Sequence, residues 1–333
     1  MANKHASLEA LFTDIANAIR EKTGSAAVIV ADNFPNVIRG RLQAIPLKSY
    51  LTFTSPNSFA LVVNDATKHW NGMLEYSTDT KTWSTWDGTT TLSSVNNDGE
   101  YVLYLRGTGN TVITGSNLNY KWVLTGTDIK CIGNIENLLD YVTVESGEHP
   151  TMADYCYAYM FQGCTALTQA PALPATTLAN YCYSNMFYNC TSLTQAPALP
   201  ATTLSSRCYE GMFYGCTSLT QVPELPATAL ANYCYSGMFY NCTSLTQAPE
   251  LPATTLADNC YYYMFRGCTS LKLSTTQSDE YTQEYRIPSS GEGVTATNAL
   301  KDMFTSTGGT FTGTPDINTT YYLSSDNMIV HEA

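Results

Sequence analysis

The chain has 333 residues, 44% hydrophobic but only 13% charged, with 16 basic against 28 acidic residues and a net charge of −12. That length exceeds what one hydrophobic core normally organises, so two or three domains are expected, and the charged fraction is about half the usual ~25%, so the surface is built from Ser, Thr, Asn, Gln and Tyr. Without a basic patch, neither nucleic-acid reading nor membrane-surface binding through Lys/Arg clusters is expected.

No run of about 18 apolar residues occurs, so nothing is expected to span a bilayer. The opening Met1–His5 is polar and Glu9 and Asp14 follow, so the apolar segment of a signal peptide is missing and folding in a cytoplasm is expected. Residues 1–46 read as two short helices. Ser7 is a good N-cap, Leu8, Leu11, Phe12, Ile15 and Ile19 mark one helical stripe, and Gly24 stops it. A second piece after Pro35 carries Val37, Ile38, Leu42 and Ile45. Two such helices bury little area alone, so this is an attachment or oligomerisation module that packs on a neighbour or on copies of itself. The run Leu11-Phe-Thr-Asp-Ile-Ala-Asn-Ala-Ile-Arg-Glu-Lys-Thr-Gly24, followed by Val30-Ala-Asp-Asn-Phe-Pro35, is similar to an N-terminal module of phage and prophage tail and baseplate proteins. The resemblance implies other tail or baseplate subunits as partners and a homo-oligomer, by analogy with tail fibres a trimer.

Residues 47–127 change to strand patterns. Phe59 to Val63, Met73 to Tyr76, Glu100 to Arg106 and Tyr120 to Leu124 are β-rich, with turns at Asn97-Asp-Gly99 and Gly107-Thr-Gly109. Trp70, Trp83, Trp86 and Trp122 all lie here, which predicts a small all-β sandwich with a Trp core; a sugar-stacking platform is the alternative. The stretch Glu75-Tyr-Ser-Thr-Asp79, Trp83-Ser-Thr-Trp86-Asp-Gly88 and Leu103-Tyr-Leu-Arg-Gly107 is similar to β-domains of phage tail appendages.

Residues 128–333 are dominated by a repeat. Cys156, Cys182, Cys208, Cys234 and Cys260 step by 26, and Cys164, Cys190, Cys216, Cys242 and Cys268 follow eight residues behind. Cys182 to Arg207 and Cys234 to Asn259 differ at five positions of 26. The period lies in the leucine-rich-repeat range of about 20–29 residues. Leu178, Cys182, Met186 and Phe187 fit one helical face, and Leu193 to Leu199 a short strand ended by Pro197 and Pro200. Each coil is therefore expected to be one helix plus one strand, stacked into an α/β solenoid of five 26-residue coils with imperfect caps. The pattern Met186-Phe-Tyr-Asn-Cys-Thr-Ser-Leu193 resembles the BspA-like leucine-rich-repeat family over residues ~150–271; the extra length around Pro197 and Pro200 departs from it.

The solenoid divides into an N-terminal cap (128–153), in which Cys131 stands 25 before Cys156, the repeats (154–272), and a C-terminal cap (273–333). In that cap Met303-Phe304 lies 39 after Met264-Phe265, one period plus 13, so a last coil should follow an inserted loop from Ser274 to Thr297. Two cysteines per coil, eight apart, do not converge as zinc ligands do, so they read as buried reduced thiols and no metal is expected.

No catalytic motif appears, the four His are scattered, and no cofactor is implied. Glu224 and Glu250 lie one coil apart, but Ala172 and Ala198 take their place in other coils, so they read as solvated charges and the chain as no enzyme. The helix side carries Tyr188, Tyr214, Tyr240, Tyr262, Tyr263 and Arg266, aromatic and varied, and these are the candidate ligand contacts. On the strand side Thr194/Gln195, Thr220/Gln221 and Thr246/Gln247 are constant and suit ladder hydrogen bonds. Together these observations suggest a phage tail or baseplate appendage, carried on the virion, that meets a host cell-surface glycan or protein. A bacterial BspA-like surface adhesin and a polysaccharide-degrading enzyme are the alternatives.

Overall fold

The computed structural model describes residues 50–288, 296–317 and 319–330, within the second of two units into which the chain divides, Ser49–Ala333. The attachment module of residues 1–46, with Leu8, Leu11, Phe12, Ile15 and Ile19, lies outside the described residues. What is described is mostly β: several small sheets, a stack of repeats, and one α-helix, Asn137–Glu145, interrupted by extended backbone at Asp140.

The all-β region is two sheets face to face. The larger runs, in spatial order, Leu167–Gln169, Ile129–Ile132, Leu51–Ser55, Glu100–Thr108, Met73–Ser77 and Ser84–Trp86, and Val95–Asn97 also pairs with Glu100–Thr108. The smaller holds Leu92–Ser93, Ala60–Val63 and Trp122–Thr125. Inward residues of both sheets, among them Phe53, Leu61, Leu74, Leu103 and Leu105, form the core with Trp70, Trp86 and Trp122. The Trp86 ring lies 5.1 Å from Trp70 and 5.5 Å from Trp122. Trp83 departs from that core: it is half-buried and its ring is covered by the Arg106 guanidinium at 4.1 Å. Asp98 and Gly99 both have positive φ, as the two-residue hairpin turn requires. Gly107 is no turn but lies inside the strand, where a Cβ would overlap the Leu138 carbonyl; the close approach of the helix-bearing segment demands glycine.

The coils contain no helix. Left-handed residues recur every fourth position, as at Tyr181, Asn185 and Asn189, and the chain between them forms successive turns. Alternate amides close these turns, for example Ser184 N–H to Tyr181 O at 3.1 Å. The others reach the next coil: Tyr157, Phe161 and Gly163 donate to Cys182, Met186 and Tyr188 carbonyls at 2.8, 2.9 and 2.7 Å. An α-helix would spend all its amides on itself. The turn ladder satisfies half of them between coils and so fixes register along the stack. Inward residues follow a period of four, with Cys182, Tyr183, Met186, Phe187 and Cys190 all buried. The Phe rings superpose at 5.6–5.7 Å and the buried Tyr rings, Tyr157 to Tyr261, at 5.5–5.9 Å.

The left-handed column Gly163, Asn189, Gly215, Asn241 and Gly267 alternates two residue types that adopt this conformation readily. The Asn189 and Asn241 carboxamides occupy the space where a Cβ of Gly215 and Gly267 would sit. Each Asn thus requires a glycine one coil on.

Both ends of the stack are closed. At the start, the Ile113 and Trp122 amides of the β-region donate to Cys156 O and Met160 O at 2.9 and 2.8 Å. The strand Ile129–Ile132 pairs with Leu51–Ser55 on one side and with Leu167–Gln169 of the first coil on the other. One sheet and one core therefore cross the boundary at residue 127/128. Cys131 belongs to that strand, and its electrostatic neighbour is Cys164 rather than Cys156, so it forms part of the sheet rather than an imperfect coil.

At the far end the 39-residue offset is a true coil: Phe265 N–H donates to Met303 O at 3.0 Å and the Phe265 and Phe304 rings stack at 5.6 Å. Its own amides end on a loop, Asp302 on Thr314 Oγ1, Phe304 on Gly313 O and Ser306 on Thr312 Oγ1, at 2.8, 2.9 and 2.8 Å. The segment expected as an inserted loop contains a strand, Tyr281–Arg286, in a sheet with Thr320–Ser324, Lys272–Ser274 and Gly308–Gly309. The strand Met328–Val330 pairs in parallel with Gln247–Pro249 of the fourth coil.

Candidate functional site

The four-residue turns send pairs of residues alternately inward and outward, and this decides which tyrosines are available. The constant row Tyr157, Tyr183, Tyr209, Tyr235 and Tyr261 is at most 1% exposed and belongs to the core. Tyr188, Tyr214 and Tyr240 point outward and stack coil on coil, with centroids 4.6 and 4.4 Å apart and planes within 15°. Arg266 continues the row, 5.8 Å over Tyr240 and 4.8 Å over Tyr263, and Tyr262 lies 3.7 Å from Tyr263. The six candidate contact residues, Tyr188, Tyr214, Tyr240, Tyr262, Tyr263 and Arg266, thus form one continuous half-buried row along the stack. A hydrogen bond to Tyr263, with desolvation, pushes the Tyr262 phenol up to about 12, so it is neutral at physiological pH.

A second row was not singled out from the sequence. Tyr155 stacks on Tyr181 at 4.3 Å, and Arg207 lies 3.6 Å over Tyr233 and 5.5 Å over Tyr181. Arg207 also pairs with Glu210 at 2.7 Å. The 26-residue recurrence of Tyr155, Tyr181, Arg207 and Tyr233 was the signal that would have found it. Of the two residues that follow each buried Tyr of the constant row, Ala158, Ser184, Gly211 and Ser236 are buried, while Tyr159, Asn185, Glu210, Gly237, Tyr262 and Tyr263 remain partly accessible.

Stacking consumes ring faces. Within each row the aromatic faces meet one another, so the surface presents ring edges, phenol hydroxyls and guanidinium groups. Such a surface offers hydrogen bonds at the spacing of the coils. The strand side differs: Gln195 and Gln221 bridge neighbouring coils and the Gln247 carboxamide accepts from the Val222 amide at 3.4 Å. A groove of about 840 Å³ also runs there, lined by Lys130, Ile132, Gln169, Pro171, Gln195 and Pro197.

The cysteines are all free and buried. Burial pushes the Cys208 and Cys216 thiols up to about 12, far from nucleophilic thiolates. Among the described residues no group of three His, Cys, Asp or Glu converges on a metal position. His69 approaches Asp65 and Thr67 at 2.7 Å, but both through Nε2. A proton relay needs the base and its orienting acid on different ring nitrogens, so this cluster does not form one. Glu224 is half-buried and Glu250 exposed.

The model of the BspA type leucine rich repeat region matches residues 136–272 in six copies, one more than the five coils with paired cysteines. No curated protein and no solved structure shows a significant match to the chain.

Proposed function

We propose that this is a non-enzymatic recognition protein that contacts a cell-surface glycan or protein through the turn side of its coil stack. The observation that carries the proposal is the row from Tyr188 to Arg266, five aromatic side chains and a cation kept half-buried at the surface, while the Phe and Tyr columns of the same coils are buried. Half-buried tyrosine aligned in this way presents ring edges and phenol hydroxyls already ordered by their mutual stacking, so contact area and hydrogen bonds come at low conformational cost. The finer assignment, a phage tail or baseplate appendage on the virion that meets its host, is supported by the resemblance of Leu11–Gly24 and Val30–Pro35 to tail modules. The repeat family supports a second setting, a bacterial surface adhesin, in which the same face would serve.

The test is adsorption of the full chain to host cells, with glycan-array binding alongside. Replacing Tyr240, Tyr262 and Tyr263 together by Ser is expected to abolish adsorption with little change in Tm. Unchanged adsorption, with loss in Gln195/Gln221/Gln247→Ala, would move the contact to the strand side. Release of reducing sugar from a bound polysaccharide would overturn the non-enzymatic reading.

A further inference from the structure

Three arginines lie over aromatic rings in the described residues, and two of them have a carboxylate of their own. Arg106, between Trp83 and Tyr141, donates to Glu75 at 2.8 Å. Arg207, over Tyr233, donates to Glu210 three residues on at 2.7 Å. Arg266 has the same aromatic setting but Thr269 at the third position on, and the Thr269 hydroxyl donates to Thr243 O at 3.4 Å. No carboxylate lies within ion-pair distance of Arg266 among the described residues. Its guanidinium, half-buried between Tyr240 and Tyr263, has no protein acceptor there either.

A guanidinium has five donors in a planar fork that matches a carboxylate, and partial burial strengthens the pairing. We propose that Arg266, Tyr240, Tyr262 and Tyr263 form a subsite for the carboxylate of an acidic sugar, a uronic or sialic acid unit of a surface glycan. This rests on the reading of the turn side as the contact face. A sugar fits better than an acidic peptide because the row leading away from Arg266, Tyr240 to Tyr214 to Tyr188, has its ring faces occupied by each other. Its rings recur at centroid spacings of 4.6 and 4.4 Å, so it offers a phenol hydroxyl coil after coil, suited to hydroxyl-rich units, rather than open ring faces for apolar side chains. The net charge of −12 disfavours a dense polyanion, whereas a single carboxylate seated on Arg266 is screened from charges more than about 10 Å away.

The experiment is calorimetric binding of the full chain to singly charged sugars, methyl galacturonide, methyl glucuronide and sialyllactose, to the methyl esters of each, and to a poly-glutamate peptide. At least one acid form should bind ten-fold or more tightly than its ester. Arg266→Gln should remove that preference, Arg266→Lys should keep part of it, and Lys81→Gln, an equal charge change in a distant exposed turn, should keep all of it. Unfolding curves confirm that each variant is folded. Equal binding of acid and ester, an unaffected Arg266→Gln variant, or no binding of any acidic sugar overturns the proposal. Binding of poly-glutamate alone overturns the sugar assignment in favour of an acidic protein. If adsorption depends on Tyr240, Tyr262 and Tyr263 but not on Arg266, the contact face stands and only the anion subsite falls.

Discussion

The thiol of Cys216 donates to the carbonyl oxygen of Phe187 at 3.1 Å, and that oxygen also accepts from the Cys190 amide at 3.0 Å. The same bond joins Cys190 to Phe161 and Cys242 to Phe213 at 3.1 Å. From the second coil on, the second cysteine of each coil is thus a small apolar filler and a donor to the coil before it, and in the first coil Cys164 donates to Trp122 O of the β-region instead. Cys216→Ala should cost about 1–3 kcal/mol through the cavity and the lost bond. Cys216→Val, which restores volume without a donor, should recover only part of this. Denaturant midpoints check both, and full recovery by Val would show that the thiol acts through volume alone.

Burial of these thiols makes the protein sensitive to alkali. Cys208 and Cys216 move from 9.0 up to about 12, and Cys260 to about 11. The folded chain holds these protons more tightly than the unfolded chain. Their contribution is therefore complete below pH 9 and declines as pH rises from about 9 towards 12, because the unfolded state ionises first. The buried Tyr183 and Tyr209, raised by the same desolvation, add in the same direction. Tm measured from pH 7 to 11 should hold until about 9 and then fall. A Tm that rises over that interval would contradict the burial.

The eleven cysteines should all titrate as free thiols when the protein is denatured without reductant. Substantial pairing would contradict folding in a reducing compartment.

Gly215→Ala should destabilise more than Gly163→Ala. Both residues have positive φ, but only at Gly215 does the new methyl meet the Asn189 carboxamide, whereas at Gly163 the nearest atom is the Lys121 Nζ at 3.9 Å. Backbone strain costs about 1–2 kcal/mol at either site, and the clash adds to the first. Equal losses would mean that the Asn–Gly alternation is not a steric pairing.

The loop that closes the last coil should matter beyond its exposure. Thr312→Val with Thr314→Val removes the hydroxyls that receive the Ser306 and Asp302 amides. At about 0.5–1.5 kcal/mol per bond, a loss of about 1–3 kcal/mol is expected. Hydrogen exchange at Asp302 and Ser306 should quicken first, and unchanged exchange there would remove the loop from the cap.

Light scattering of the full chain against a chain beginning at Leu47 tests self-association through Leu8, Leu11, Phe12, Ile15 and Ile19. A trimer that becomes a monomer is expected, and equal monomeric masses would leave only docking onto another protein.

By itself the sequence determined the period, the number of coils, the last coil at a 39-residue offset, and which Cys, Met and Phe rows are buried. Near-identical units bury identical positions, so recurrence alone reports the core. It also pointed to the Trp core, three of whose four members are buried, and to the six residues of the outer aromatic row. Only the tertiary structure decided that the coils are turns. Over Leu178 to Phe187 a four-residue period drifts by about 40° per step from a helix, which stays within one broad apolar face, so the two patterns coincide over so short a stretch. What separates them is where the amides of Tyr157, Phe161 and Gly163 go, and their partners lie 25 residues away in the next coil. The shared sheet of Leu51–Ser55, Ile129–Ile132 and Leu167–Gln169, and the second row through Arg207, are non-local in the same sense. Hydrogen bonds and stacking between distant segments leave no local pattern, and they are what turn a repeated sequence into one continuous surface.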